Sequence, residues 1–148
     1  MDNFELLNTL HEAMVSLDNV YCLWTKKYGI GKNELCILGI LLKNPGISQK
    51  QIVQKTGISF TTLNSSLKKM ADQGYLYLET EASNKKEKHI NLTGEGKGYA
   101  ENILLPLWEI EEKTARKIKT KDIETAFLCV NRYKEELIEA FNKREGEK

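Results

Sequence analysis

This sequence predicts a mainly helical α+β fold, in which two short helices and a hairpin sit between longer helices, and three observations lead there. Apolar residues recur every three or four positions along both ends of the chain, the period of an amphipathic helix. Between those ends, two helix-capping signals flank Thr56-Gly57, the spacing of a helix-turn-helix. Beyond Gly74 the pattern changes to alternation at 75–80 and again at 89–93, as in paired strands. The 148 residues, 41% hydrophobic and 29% charged with two prolines, suit one globular unit.

Phe4, Leu7, Leu10, Met14, Leu17, Tyr21, Trp24 and Tyr28 form one continuous seam, so the first helix is long, and Gly29 and Gly31 end it. Lys32–Lys43 carries Leu35, Cys36, Leu38, Ile40, Leu41 and Leu42, apolar almost all round, which predicts a helix buried at the centre of a small domain. Asn44-Pro45-Gly46 stops it. Ser48 and Gln51 stand at capping-box spacing for a short helix to about Lys55. Ser59 can cap the next helix, which runs to Gln73, and Gly74 can take the left-handed conformation that closes it. Ile52, Val53, Ile58, Leu63 and Leu67 then face inward.

The polar stretch 81–88 reads as the charged tip of a hairpin joining the two strands. Gly94, Gly96 and Gly98 read as a break before a helix from Tyr99 to about Lys119, which Pro106 should bend because it lacks a backbone donor. Thr120 can cap a last helix with the seam Ile123, Phe127, Val130, Lys134, Leu137, Ile138 and Phe141. The expected organisation is a winged helix-turn-helix over 32–96, with 1–31 and 97–148 forming a helical dimerisation region of the same compact chain.

Several function classes find no support. There is no Ser/His/Asp order, no Gly-rich phosphate loop and no carboxylate pair beside a strand end, so no catalytic residue is expected. His11 and His89 are the only histidines and lie in different elements, so neither a metal nor another cofactor is expected. Cys22, Cys36 and Cys129 are odd in number and widely spaced; they read as reduced core residues. No apolar run approaches the ~20 residues of a membrane span, and the N-terminus, with Asp2 and Glu5, lacks a signal-peptide pattern. The expectation is a cytoplasmic protein with no membrane partner.

The formal net charge of +1 conceals a local surplus: between Lys43 and Lys97 there are nine lysines against five acidic residues. That surplus surrounds the helix after Gly57. Opposite its apolar residues Leu63, Leu67 and Met70 lie Thr61, Ser65, Lys68 and Asp72, flanked by Thr62, Lys69 and Asn64, with Ser59 at the cap. Thr, Ser and Asn are weak helix formers, so stability alone does not select them. Short hydroxyl and amide side chains let a helix approach base edges, and lysines attract phosphates. Ser59, Thr61, Thr62, Asn64, Ser65, Lys68 and Lys69 are therefore the expected major-groove face on double-stranded DNA. Asn84, Lys85, Lys86 and Lys88 at the hairpin tip are the expected minor-groove or phosphate contacts. The plainer alternatives are a solvated helix face and a solubilising turn.

The order of elements, the segment Ile58 to Gly74 with its closing Met70-Ala71-Asp72-Gln73-Gly74, and a wing ending in Leu92-Thr93-Gly94 resemble the MarR family of bacterial winged-helix transcription regulators over essentially the whole chain. The family's wing usually holds Asp and, two residues later, Arg; here those positions are Asn84 and Lys86. The resemblance implies an obligate homodimer whose first and last two helices interlock. The seams at Leu7, Leu10, Met14, Leu17, Ile123, Phe127, Val130, Leu137 and Phe141 support this independently, being too apolar to be covered easily within one chain. Two-fold symmetry implies a near-palindromic operator with half-sites about 34–36 Å apart, bound by a sequence-specific repressor. The family often responds to small molecules or to cysteine oxidation. Trp24, Tyr28 and Trp108 can line an aromatic effector pocket or simply pack as core, and Cys22 lies toward the end of the first helix, whereas the peroxide-sensing branch has its cysteine near the start. The alternative function is a winged-helix module that binds another protein, with weak or lost DNA binding.

Overall fold

The computed structural model describes the backbone over 2–81 and 84–146 and the side chains over 2–80 and 88–144. Nine elements follow in order: α1 (Asn3–Tyr28), α2 (Lys32–Lys43), β1 (Ile47–Ser48), α3 (Gln49–Thr56), α4 (Phe60–Asp72), β2 (Leu76–Glu81), β3 (Asn84–Leu92), α5 (Gly94–Ala115) and α6 (Thr120–Gly146). The fold is the predicted one, mainly helical with a small antiparallel sheet in the order β1-β3-β2. The described chain divides into two compact units, 1–107 and 108–148. Among the described residues no helix is long and apolar enough to cross a membrane, and no three His, Cys, Asp or Glu side chains are grouped to hold a metal.

In the first unit, α1 opens with a capping box in which the Asp2 carboxylate accepts from the Glu5 N–H at 2.9 Å, and it closes on Gly29 in the left-handed region. The core is built on α2, where Ile37, Leu38 and Leu41 are almost completely buried, together with Ile52 of α3, Leu63 and Met70 of α4, Ile90 of β3 and Ile103 of α5. β1 was not evident from sequence, since two residues carry no periodicity. It pairs Ile47 with Ile90 and Ser48 with His89, fastening the sheet to the loop between α2 and α3.

Three boundaries differ from those expected. β3 begins at Asn84, so most of the polar stretch read as a hairpin tip is strand: Thr80 pairs with Lys88, and an irregularity follows at Glu81. Cross-strand pairing of Lys88 with Thr80 and of Asn84 with Glu81 holds the two ends of that run in the strand. α5 begins at Gly94, with its first glycines inside the helix. Thr93 is the reason: its hydroxyl accepts from the Gly96 N–H at 2.9 Å and donates to the Gly74 carbonyl at 2.7 Å, capping α5 and holding it to the turn before β2. A Cβ on Gly96 would lie 1.7 Å from the Tyr75 carbonyl oxygen, so only glycine permits this approach. Thr120 is a helical residue of α6 rather than its cap; the first α6 turn closes on the Lys119 carbonyl, which accepts from Asp122 N–H at 2.9 Å.

The cysteines do not form the expected core. Cys22 is half-buried, while Cys36 and Cys129 are exposed. α2 is accordingly less apolar around its circumference than the sequence implied: Cys36 faces out, and Glu34 is buried.

In the second unit no described residue of α6 is buried. Ile123, Phe127 and Phe141 are exposed, and Val130 and Leu137 are half-buried. On α1, Leu7 and Leu10 are half-buried and Met14 and Leu17 exposed; Leu6, Val20 and Leu23, off the predicted seam, are exposed as well.

Candidate nucleic-acid interface

Each end of the helix-turn-helix is fixed by local chemistry. The Ser48 hydroxyl accepts from the Gln51 N–H at 3.3 Å and the Gln51 side chain accepts from the Ser48 N–H at 2.9 Å, the reciprocal capping box that starts α3. Gly57 ends α3 with φ of 69°, its N–H donating to the Val53 carbonyl at 2.8 Å. The Thr56 hydroxyl accepts from the Ile58 N–H at 3.1 Å, which sets the turn into α4. Ser59 caps α4 by accepting from the Thr62 N–H at 3.2 Å.

Along α4, Leu63, Leu67 and Met70 are buried. This leaves Thr61, Thr62, Asn64, Lys68 and Lys69 exposed, Ser65 exposed beside them, and Ser59 exposed at the cap. The predicted face is therefore on the outside, held by three buried anchors. Two of its members are partly engaged already, as the Ser59 hydroxyl donates to Thr62 Oγ1 at 2.9 Å. Lys69 is committed elsewhere: its ammonium donates to Glu34 Oε2 of α2 at 2.9 Å. Sequence reading placed Lys69 as a free cation on the flank of the helix and missed Glu34. The burial of that carboxylate, 35 positions away, supplies the attraction.

The wing is a paired β2–β3 ribbon that keeps Lys88 exposed. The side chains of Asn84, Lys85 and Lys86 lie outside the described residues; their backbone belongs to β3. His89 Nδ1 lies 2.7 Å from the Gly46 carbonyl and the Asn91 amide donates to Glu79 at 3.1 Å, bracing the base of the ribbon. Phe60, the first residue of α4, is 50% exposed beside the polar face and was also missed, since a lone aromatic at a helix start carries no periodic signal.

Of the aromatic residues, Trp24 and Tyr28 come together with centroids 5.4 Å apart, and Lys27 lies over both rings. The Trp24 indole N–H donates to the Ile103 carbonyl at 3.1 Å. Trp108 belongs to the other unit. Tyr99 stacks on Tyr75 at 4.2 Å, and burial, followed by the nearby Glu34 charge, pushes its hydroxyl up from the ordinary tyrosine value.

The MarR family model matches residues 28–87, from the end of α1 through the helix-turn-helix and into the wing. No curated protein matches the chain. Among solved structures, the MarR family regulator NMB1585 from Neisseria meningitidis has a TM-score of 0.82 at 20% identity, covering 97% of this chain and 99% of that one. MepR of S. aureus in complex with DNA has a TM-score of 0.70 at 16% identity, covering 92% and 98%. PcaV of Streptomyces coelicolor with its natural ligand has a TM-score of 0.67 at 16% identity, covering 84% and 90%. The MarR family model thus matches the winged helix-turn-helix part of the chain, and the fold is shared along almost the whole length with solved MarR family regulators.

Proposed function

We propose that the chain is a sequence-specific repressor that binds a near-palindromic operator as a homodimer in the cytoplasm and is released by a small-molecule effector. The observation that carries this reading is the outer side of α4, where Thr61, Asn64, Ser65 and Lys68 are exposed behind the buried Leu63, Leu67 and Met70. Those side chains offer hydrogen bonds to base edges and charge to phosphates. The α4 residues Ser59, Thr61, Thr62, Asn64, Ser65 and Lys68 read the major groove, and Asn84, Lys85, Lys86 and Lys88 of the wing meet the adjacent backbone or minor groove. The fold is shared with MepR, which has been seen on DNA, and with PcaV, seen with a ligand; both lend support. The exposed apolar residues of α1 and α6 favour a homodimer, because a second copy covers what a single chain leaves in water. Regulators of this family are transcription factors rather than enzymes, and no catalytic role is assigned.

The experiment is a fluorescence anisotropy titration of the purified protein with the DNA upstream of its own gene, against random DNA, at two salt concentrations. Preference for the upstream DNA, with affinity falling steeply as salt rises, is the expected result. Affinity equal to that for random DNA, or indifferent to salt, instead favours a module that binds another protein.

A further inference from the structure

We infer that Phe60, the first residue of α4, is a specificity-determining residue that reads the C5-methyl group of a thymine in each half-site of the DNA. The inference rests on the regulator reading above and names a base for that interface. Phe60 is 50% exposed. Among the described residues of 32–96, the other large apolar side chains left in water are Tyr77 and Leu78, both on β2 of the wing, so Phe60 is the one on the helix-turn-helix. Its own helix does not call for it. Phe is a weaker helix former than Ala, Glu or Lys, and the first turn of a helix favours proline or an acidic residue.

The position of Phe60 is fixed from both sides. The Ser59 hydroxyl accepts from the Thr62 N–H at 3.2 Å, and the Ser59 carbonyl accepts from the Leu63 N–H at 2.9 Å. Leu63 is completely buried and anchors that turn to the core. The ring of Phe60 is thus held half in water on a turn that cannot easily shift. Asn64 lies one helical turn further along the same flank, and Thr61, the next residue, begins the exposed polar face. This is the end of a recognition helix whose residues meet base edges in the major groove.

A phenyl ring has neither donor nor acceptor, so a phosphate or the polar edge of a base would lose hydration against it and gain no hydrogen bond. The major groove presents one apolar group, the thymine C5-methyl. Docking the ring on that methyl takes apolar surface of both out of water. An aromatic side chain has two torsions to order, so the contact costs little conformational entropy. Thr61, Thr62 and Asn64 discriminate bases through hydrogen bonds. Phe60 adds what hydrogen bonding does not sense, the methyl that separates thymine from uracil.

The test uses the shortest stretch of the upstream DNA that the wild type prefers to random DNA, with each thymine in turn replaced by deoxyuridine, which removes the methyl and keeps the pairing. Anisotropy titration is expected to find one thymine in each half-site whose replacement weakens wild-type binding about fourfold, the worth of one buried carbon group, and about fifteenfold when both half-sites are changed. Phe60→Ala is expected to keep the wild-type urea midpoint, to bind the thymine operator more weakly, and to lose nothing further on the uracil operator. Phe60→Leu, which keeps an apolar side chain, restores part of the uracil penalty. A merely structural role for the ring would weaken Phe60→Ala on both DNAs and leave the penalty in place. An operator at which no thymine methyl matters, or a penalty that survives Phe60→Ala, overturns the inference alone. A wild type with no operator preference overturns it together with the regulator reading.

Discussion

Lys68 and Lys69 are neighbours in sequence with the same charge, yet they hold different positions. Lys68 is exposed on the outer face of α4, whereas Lys69 is drawn to the buried carboxylate of Glu34. Lys68→Ala is expected to leave the urea midpoint unchanged while flattening the salt slope of operator binding by about 0.9. Lys69→Ala strips the donor from a buried acceptor and is expected to cost about 1–2 kcal/mol of stability, discounted because the lysine itself is half in water. Equal losses of stability in the two variants would show that the Glu34 pairing does not distinguish them. Asn64, exposed and able both to donate and to accept, is the better specificity residue. Asn64→Ala is expected to lose about 1–3 kcal/mol of discrimination between the operator and a single-base variant, measured as the ratio of the two affinities. A uniform loss on both DNAs would place Asn64 on the backbone instead.

Local rules wrote the helices into the sequence, because amphipathic periodicity and capping act over a few residues. The Ser48–Gln51 box, the Ser59 cap and the left-handed Gly57 and Gly74 all stand where those rules put them. What was not legible depends on contacts distant in sequence. β1 exists because Ile47 meets Ile90, β3 extends back to Asn84 because Asn84 pairs with Glu81 of β2, and α5 starts early because Thr93 reaches back to Gly74. The polar face of α4 could be read from its spacing, but the capture of Lys69 by Glu34 could not. The glycines of α5 show the same division. Gly96→Ala would force a methyl against the Tyr75 carbonyl and is expected to lower stability by about 3 kcal/mol, the upper end of overpacking costs. A methyl on Gly98 would meet nothing within 4 Å, so Gly98→Ala is expected to stabilise the helix by about 0.5–1 kcal/mol. Urea unfolding reads both; a similar shift in the two variants would mean that helix propensity alone, and not the approach to Tyr75, governs this turn.

At the scale of the molecule, the decisive fact is that α6 buries none of its described residues and yet carries Ile123, Phe127, Leu128, Ile138 and Phe141 in exposed positions. Water contact over that many large apolar side chains is unfavourable, at roughly 25 cal/mol for each Å² left uncovered. A second copy covering them makes folding stability depend on protein concentration, since association stabilises only the folded chain. Phe127, 65% exposed, is the most direct place to interfere. Phe127→Asp puts a charge into the proposed interface, where its desolvation has no compensating partner. The expected outcome is a monomer in analytical ultracentrifugation at concentrations where the wild type is dimeric, together with a roughly 10²–10⁴-fold weaker operator affinity, because each winged region must then bind its half-site without the effective concentration its twin supplies. Half-site DNA separates the two effects: the variant should bind it as well as the wild type does, since α4 and the wing are untouched. A Phe127→Asp protein that remains dimeric and binds the full operator normally would remove α6 from the interface and leave α1 to account for dimerisation.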